Sequence, residues 1–111
     1  MTSITTDDGV RLDYTESGAP GGVPVVLIAG FKAARASWLY QTPALEAAGY
    51  RVISVDLRGH GTSECPDFGH SMARRAADLE QLLVELDLRG AVLVGQSMGG
   101  NTVWAHLKDF G

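Results

Sequence analysis

The chain has 111 residues, 45% of them hydrophobic and 20% charged, a globular composition with room for one domain and one modest core. A formal net charge of -4 and a pI near 5.2 argue against nucleic acid or an anionic membrane surface as a partner. The lone Cys65 excludes an intrachain disulfide and a zinc site of spaced thiolates. Lying between Glu64 and Pro66, it also lacks the neighbouring base and positive surroundings of a catalytic thiol.

Met1 to Leu12 carries Asp7 and Asp8 and has neither the basic start nor the apolar stretch of a secretory signal. No apolar run reaches the length of a membrane span, so a cytoplasmic location is expected. Ser3–Thr6 and Val10–Thr15 read as two short strands joined at Asp7-Asp8-Gly9, a hairpin signal. In the second strand Val10, Leu12 and Tyr14 share one face, and Arg11, Asp13 and Thr15 the other. Ser17–Pro24, rich in Gly and Pro, reads as loop. Val25–Ala29 is a continuous apolar run ending at Gly30, the pattern of a strand covered on both faces.

After a loop, Ser37 is a candidate cap for a helix containing Trp38, Leu45 and Ala48, with Pro43 near its start. Arg51–Asp56 follows as a strand and Arg58–Gly69 as loop. Ser71 then opens the clearest helix, whose stripe is Met72, Ala76, Leu79, Leu82, Leu83 and Leu86. Arg74, Arg75, Asp78, Glu80 and Glu85 are expected on its wet side. Ala91–Val94 is another apolar strand, and Ser97–Lys108 reads as the helix behind it. A hairpin followed by strands alternating with helices predicts an α/β fold, a parallel sheet with helices on both faces.

Gly95-Gln96-Ser97-Met98-Gly99 fits G-x-S-x-G where an apolar strand turns into a helix. A nucleophile on such a turn stands exposed at the carboxyl edge of the sheet, and the sharp backbone needs small neighbours. The helix behind it offers unpaired N–H groups and a positive dipole end to a developing oxyanion. A phosphate-binding turn fits less well: Gly95–Gly100 is not G-x-G-x-x-G, and Gly30–Ala36 lacks G-K-[ST].

Three motifs in order give the chain a family resemblance. Val25–Gly30 resembles a third strand with its oxyanion turn. Asp56-Leu57-Arg58-Gly59-His60-Gly61-Thr62-Ser63 resembles the D-x-R-G-x-G-x-S loop after a fourth strand. Gly95–Gly99 resembles the nucleophile elbow after a fifth. Together they resemble the α/β-hydrolase superfamily, nearest its esterase, perhydrolase and cofactor-free haloperoxidase-like branch. The similarity runs over nearly the whole chain and implies the N-terminal half of that fold, residues 1–111 forming a partial domain.

By that resemblance Ser97 is the nucleophile, and the backbone N–H groups of Phe31 and Met98 form the oxyanion hole. The family usually has His where this chain has Ala29, and often His where it has Gln96; the implied donors are backbone in either case. A serine at the elbow implies acyl transfer on an ester or related small acyl substrate, since epoxide hydrolases and haloalkane dehalogenases of this fold use aspartate there. No metal or cofactor is implied.

In this fold the acid and then the base follow the nucleophile in the chain. After Ser97 the remaining residues include His106 and Asp109. At about 1.5 Å rise per residue His106 stands more than about 10 Å along the helix from Ser97, so it is read as a helix-flank residue and Asp109 as a fraying end. His60 leaves the same sheet edge as Ser97, at a position the family uses for a structural turn. His70 reads as a loop residue. The 111-residue chain alone is therefore expected to be inactive and marginally stable, and either to aggregate or to self-associate through strand 91–94, left apolar at an edge. A non-catalytic ligand-binding protein on this fold is the alternative function, and a self-contained interaction module a more distant one.

Overall fold

The computed structural model describes residues 2–28, 38, 41–59, 63–65, 71–88, 90–95 and 98–110. In chain order they form β1 (Thr2–Thr5), β2 (Arg11–Gly18), β3 (Pro24–Ile28), α1 (Gln41–Ala47), β4 (Arg51–Val55), α2 (Met72–Glu85), β5 (Val92–Gly95) and α3 (Met98–Phe110). The strands make one five-stranded sheet in the order β1-β2-β4-β3-β5. β1 and β2 pair antiparallel, β2 joins β4 antiparallel, and β3, β4 and β5 run parallel.

The hairpin closes as its sequence predicts. Gly9 takes φ +84°, a left-handed conformation that suits glycine. The Thr6 N–H donates to the Val10 carbonyl at 2.9 Å and the Gly9 N–H to the Thr6 carbonyl at 3.0 Å. β2 is longer than the apolar alternation suggests. Glu16, Ser17 and Gly18 pair with Ile53, Val52 and Arg51, and Arg51 Nε donates to Glu16 at 2.7 Å. A cross-strand ion pair thus holds in the sheet a segment that reads as loop from composition.

The central strands bury both faces. Val26 and Ile28 of β3, Ile53 and Val55 of β4 and Leu93 of β5 pack with Leu79 and Leu82 of α2. Val25 and Leu27 of β3, Val52 of β4 and Val94 of β5 pack on the opposite face with Trp38 and Leu45. The first face is covered by α2 and α3, which pack on each other, whereas among the described residues the second has Trp38 and the seven-residue α1. Pro43 lies in the first turn of α1, where its missing N–H would have had no helical partner. Trp38 lies outside α1, and Ser37, the expected cap, falls outside the described residues.

α2 starts as expected. Ser71 caps it, its side chain accepting from the Arg74 N–H at 3.1 Å. Ala76, Leu79 and Leu82 are buried. The expected wet side is only partly wet: Asp78 and Arg75 are buried as well, Asp78 completely. For Asp78 the cause is a charged partner from another loop, described below. No helix among the described residues is long and apolar enough to cross a membrane.

Candidate active site at the carboxyl edge of the sheet

The three parallel strands end level. Ile28 is registered with Val55 on one side and Gly95 on the other, so the turns after β3, β4 and β5 leave one edge side by side. Such an edge is where ligands bind in open α/β sheets.

Between Gly95, the last residue of β5, and Met98, the first of α3, stand only Gln96 and Ser97. The chain therefore reverses from strand to helix almost at once. A Cβ placed on Gly95 would lie 2.4 Å from the carbonyl carbon and oxygen of Gly99 and 2.5 Å from the Gly100 nitrogen. Backbone meets backbone there, and only glycine leaves room. The G-x-S-x-G spacing is in this respect a packing requirement: the first and last glycines touch across the turn. Behind it α3 is anchored by Thr102, wholly buried, and by its packing on β5 and α2. Its first N–H groups have no helical acceptor and carry the positive end of the helix dipole. Ser97 and Phe31 fall outside the described residues, as do His60 and His70; Met98 is described as the first residue of α3.

The loop after β4 is tied down from both sides. Asp56 donates its N–H to the Asp13 carbonyl at 3.0 Å. Ser63 Oγ donates to the Asp56 carbonyl at 2.6 Å and accepts the Asp13 N–H at 2.7 Å. The Gly59 N–H donates to the Glu64 carbonyl at 2.9 Å, and the Glu64 N–H to the Arg11 carbonyl at 2.9 Å. Asp13 is buried as part of this knot, although strand alternation alone would turn it outward.

At the root of the loop the Arg58 side chain is fully buried between two carboxylates. Nε and Nη2 reach Asp78 of α2 at 2.6 and 2.8 Å, and Nη1 and Nη2 reach Asp8 of the hairpin turn at 2.9 and 3.0 Å. Arg74 adds a second cation, with Nε 3.0 Å from Asp78 and Nη2 2.8 Å from Asp7. The hydrogen bonds from Arg58 hold the Asp8 carboxyl at about 2, below the usual carboxylate value, against the opposing effect of burial. Burial works against the Arg58 charge, but the bonds to Asp78 and Asp8 outweigh it and raise its pKa. Sequence reading placed Asp78 in solvent. The i, i+4 spacing of Arg74 and Asp78 beside the apolar stripe, with an arginine in D-x-R-G, was the available signal.

His106 is held between α2 and the end of α3. Its Nε2 lies 2.9 Å from Glu80 Oε1 on α2, and its ring stacks on Phe110 at 5.4 Å. It is 8% exposed, so it belongs to the seam between the two helices rather than to a helix flank. Asp109 is exposed near the end of α3, as expected. Among the described residues no group of three or more His, Cys, Asp or Glu side chains is arranged to hold a metal ion.

Residues 23–110 match the model of the alpha/beta hydrolase fold family. The chain belongs to the α/β-hydrolase family. It is 44% identical over 103 residues to a non-heme chloroperoxidase of Streptomyces lividans, a match covering 93% of this chain and 37% of that enzyme. It is 41% identical over 103 residues to epoxide hydrolase A of Mycobacterium tuberculosis, covering 91% of this chain and 32% of the relative. Among solved structures, an esterase from Exiguobacterium antarcticum superposes with a TM-score of 0.95 at 34% identity, over 99% of this chain and 40% of that one. The chain thus spans less than half the length of these α/β-hydrolase relatives. Their names cover more than one chemistry on the same framework, so the family assignment fixes a hydrolase-type scaffold and not a single reaction.

Proposed function

We propose that this chain is the nucleophile-bearing part of a serine hydrolase acting on an ester or related acyl compound, through an acyl-enzyme at Ser97. The observation that carries this reading is the contact across the elbow, where Gly95 admits no Cβ against Gly99 and α3 begins one residue after Ser97. In the α/β-hydrolase fold a strand-to-helix turn of this kind is where the nucleophile is carried.

In the proposed reaction Ser97 Oγ attacks the acyl carbon while a base takes its proton. The backbone N–H groups of Phe31 and Met98 hold the oxyanion. The proton passes to the departing alkoxide as the carbon–oxygen bond breaks, and water releases the acid by the same steps in reverse order. No step calls for a metal or cofactor. Serine rather than aspartate at position 97 favours acyl transfer over the epoxide opening named for one relative. His106, held by Glu80, is not the base. The base and its acid partner are assigned to polypeptide other than these 111 residues, and the isolated chain is expected to be inactive.

The test is a chimera in which residues 1–111 replace the matching segment of the Exiguobacterium esterase. Hydrolysis of a short-chain p-nitrophenyl ester by the chimera, lost in Ser97→Ala, is the expected result. A folded chimera without turnover above the alanine variant sinks the reading, and ligand binding that survives Ser97→Ala would point instead to a non-catalytic binder. Turnover by the isolated chain that Ser97→Ala abolishes would put a base within it and single out His60.

A further inference from the structure

The β1–β2 hairpin runs past the strand it pairs with. β4 ends at Val55, opposite Tyr14, so Arg11, Leu12 and Asp13 of β2 continue for about 10 Å beyond the carboxyl edge. The loop after β4 pairs with them instead. The Asp13 carbonyl accepts the Asp56 N–H and the Arg11 carbonyl accepts the Glu64 N–H. The Arg11 and Asp13 N–H groups donate to Glu64 Oε1 at 3.0 Å and to Ser63 Oγ at 2.7 Å. Both limbs of the loop thus hang on the overhanging part of the hairpin. That overhang is held in turn by α2. Val10 and Leu12 are buried in one cluster with Leu57 of the loop and Leu79 of α2, and at the tip the Asp7 N–H donates to Gln81 of α2 at 2.9 Å.

Asp8 joins these pieces. Its carboxylate accepts from Arg58 Nη1 and Nη2 at 2.9 and 3.0 Å, while the other bonds of the same guanidinium go to Asp78 on α2. A paired bond of this kind fixes direction as well as distance, so hairpin tip, loop root and helix are set against one another at a single arginine. The joint stands close to the proposed chemistry. Val55 is registered with Ile28, and Ile28 with Gly95. The root of the loop therefore lies one strand, about 4.8 Å, from the end of β3, and two strands from the elbow. We propose that Asp8 is a positioning residue for the reaction at Ser97: by fixing Arg58 it sets the loop after β4 beside the segment from which the Phe31 N–H acts. The proposal rests on the serine-hydrolase reading. Oxyanion donors must meet the developing charge at hydrogen-bond distance, and a misplacement of about 1 Å can cost on the order of 100-fold in rate. A hairpin turn remote in sequence from Ser97 thereby bears on its turnover.

The test uses the esterase chimera with Asp8→Asn, which keeps the size of the side chain and removes its charge and one acceptor oxygen. Measurements are made at a temperature where unfolding curves show every protein folded. For the p-nitrophenyl ester, kcat should fall by about tenfold with KM within about twofold of the parent. Amide exchange at Asp56, Gly59 and Glu64 should quicken, while that of Val26 and Leu82 in the core stays at the parent rate. Asp8→Glu, which restores the carboxylate, should recover part of kcat. Glu16→Gln breaks the Arg51 pair at the opposite end of β2 and should change neither reading. A purely structural Asp8 lowers the unfolding midpoint but leaves kcat of the folded protein and the three amides at parent values, and that result overturns the proposal. So does an equal fall in kcat for Glu16→Gln. A parent chimera without turnover counts against the serine-hydrolase reading, and exchange then decides by itself: quickened amides in Asp8→Asn uphold the positioning of the loop, and parent rates overturn it.

Discussion

Arg58 and Asp78 face each other through two parallel hydrogen bonds, of 2.6 and 2.8 Å, with both side chains wholly withdrawn from water. A paired buried charge is tolerable, whereas a buried charge robbed of its partner is costly. Asp78→Ala leaves Arg58 with Asp8 and Arg74 with Asp7 as remaining partners, so a loss of about 2–3 kcal/mol is expected, below the about 3–5 kcal/mol of a wholly orphaned buried charge. That is a large share of the stability of so small a domain. Urea unfolding of the two proteins measures it. The double variant Arg58→Met/Asp78→Leu removes both charges and should recover part of the loss. A double variant no better than Asp78→Ala would show that the pair is not the source.

Asp8 gives the same cluster a pH signature. Its folded-state pKa of about 2 lies below the ordinary carboxylate value of 3.8, so the ionised form is favoured by folding. The sign follows by linkage: the stabilisation is full above the unfolded value and is lost as pH falls through the interval toward 2. Because the side chain retains some contact with solvent, the contribution is set at on the order of 1 kcal/mol. Asp8→Asn should therefore be less stable than the parent at pH 7, with the difference narrowing between pH 4 and pH 2. Unfolding midpoints that differ equally at both ends of that range would rule out the carboxylate charge as the cause.

The same cluster marks where sequence reading stops. The apolar runs at Val25–Ile28 and Arg51–Val55, the stripe on α2 and its Ser71 cap were all legible, because each depends on spacing along one element. The passage from strand to helix after Gly95 was legible too, since Gly95 and Gly99 touch within five residues. Asp78 and Asp13 were assigned outward because a polar side chain beside an apolar stripe is normally solvated. Their partners, Arg58 and Ser63, come from a loop 20 and 50 residues away, and no local period encodes that meeting. The end of β2 was missed for a similar reason: Gly18 is a strand residue only because Arg51 lies beside it.

His106 offers a check on which histidines matter. It is fixed between Glu80 and Phe110, facing α2 rather than the elbow. Replacing it with Gln keeps a polar group for Glu80 and removes the imidazole as a base. In the esterase chimera His106→Gln is expected to keep turnover within about twofold, whereas loss of a true general base costs about 10²–10⁴-fold. A loss of that second size, with folding intact, would return His106 to the catalytic machinery.

Gly95 and Gly100 make a paired test of the elbow itself. A Cβ on Gly95 would lie 2.4 Å from the Gly99 backbone, a separation at which something must move. A Cβ on Gly100 would meet its nearest atom, the Gly95 carbonyl oxygen, at 3.4 Å, and the Gly95 carbonyl carbon at 3.7 Å, close to ordinary contact. Gly95→Ala cannot be relieved by turning a side chain, because the obstacle is main chain on the first turn of α3. The strand end and the helix start must separate, carrying residue 97 with them. Displacement of a reacting group by about 1 Å can cost on the order of 100-fold in rate, so turnover of the Gly95→Ala chimera should fall by about that factor. Gly100→Ala replaces glycine by a better helix former inside α3, worth up to about 1 kcal/mol, and should leave both turnover and unfolding midpoint near the parent's. Steady-state hydrolysis and thermal unfolding of the two chimeras decide the matter. Equal losses in both variants would mean that glycine content in this stretch, rather than the Gly95–Gly99 contact, sets the position of Ser97.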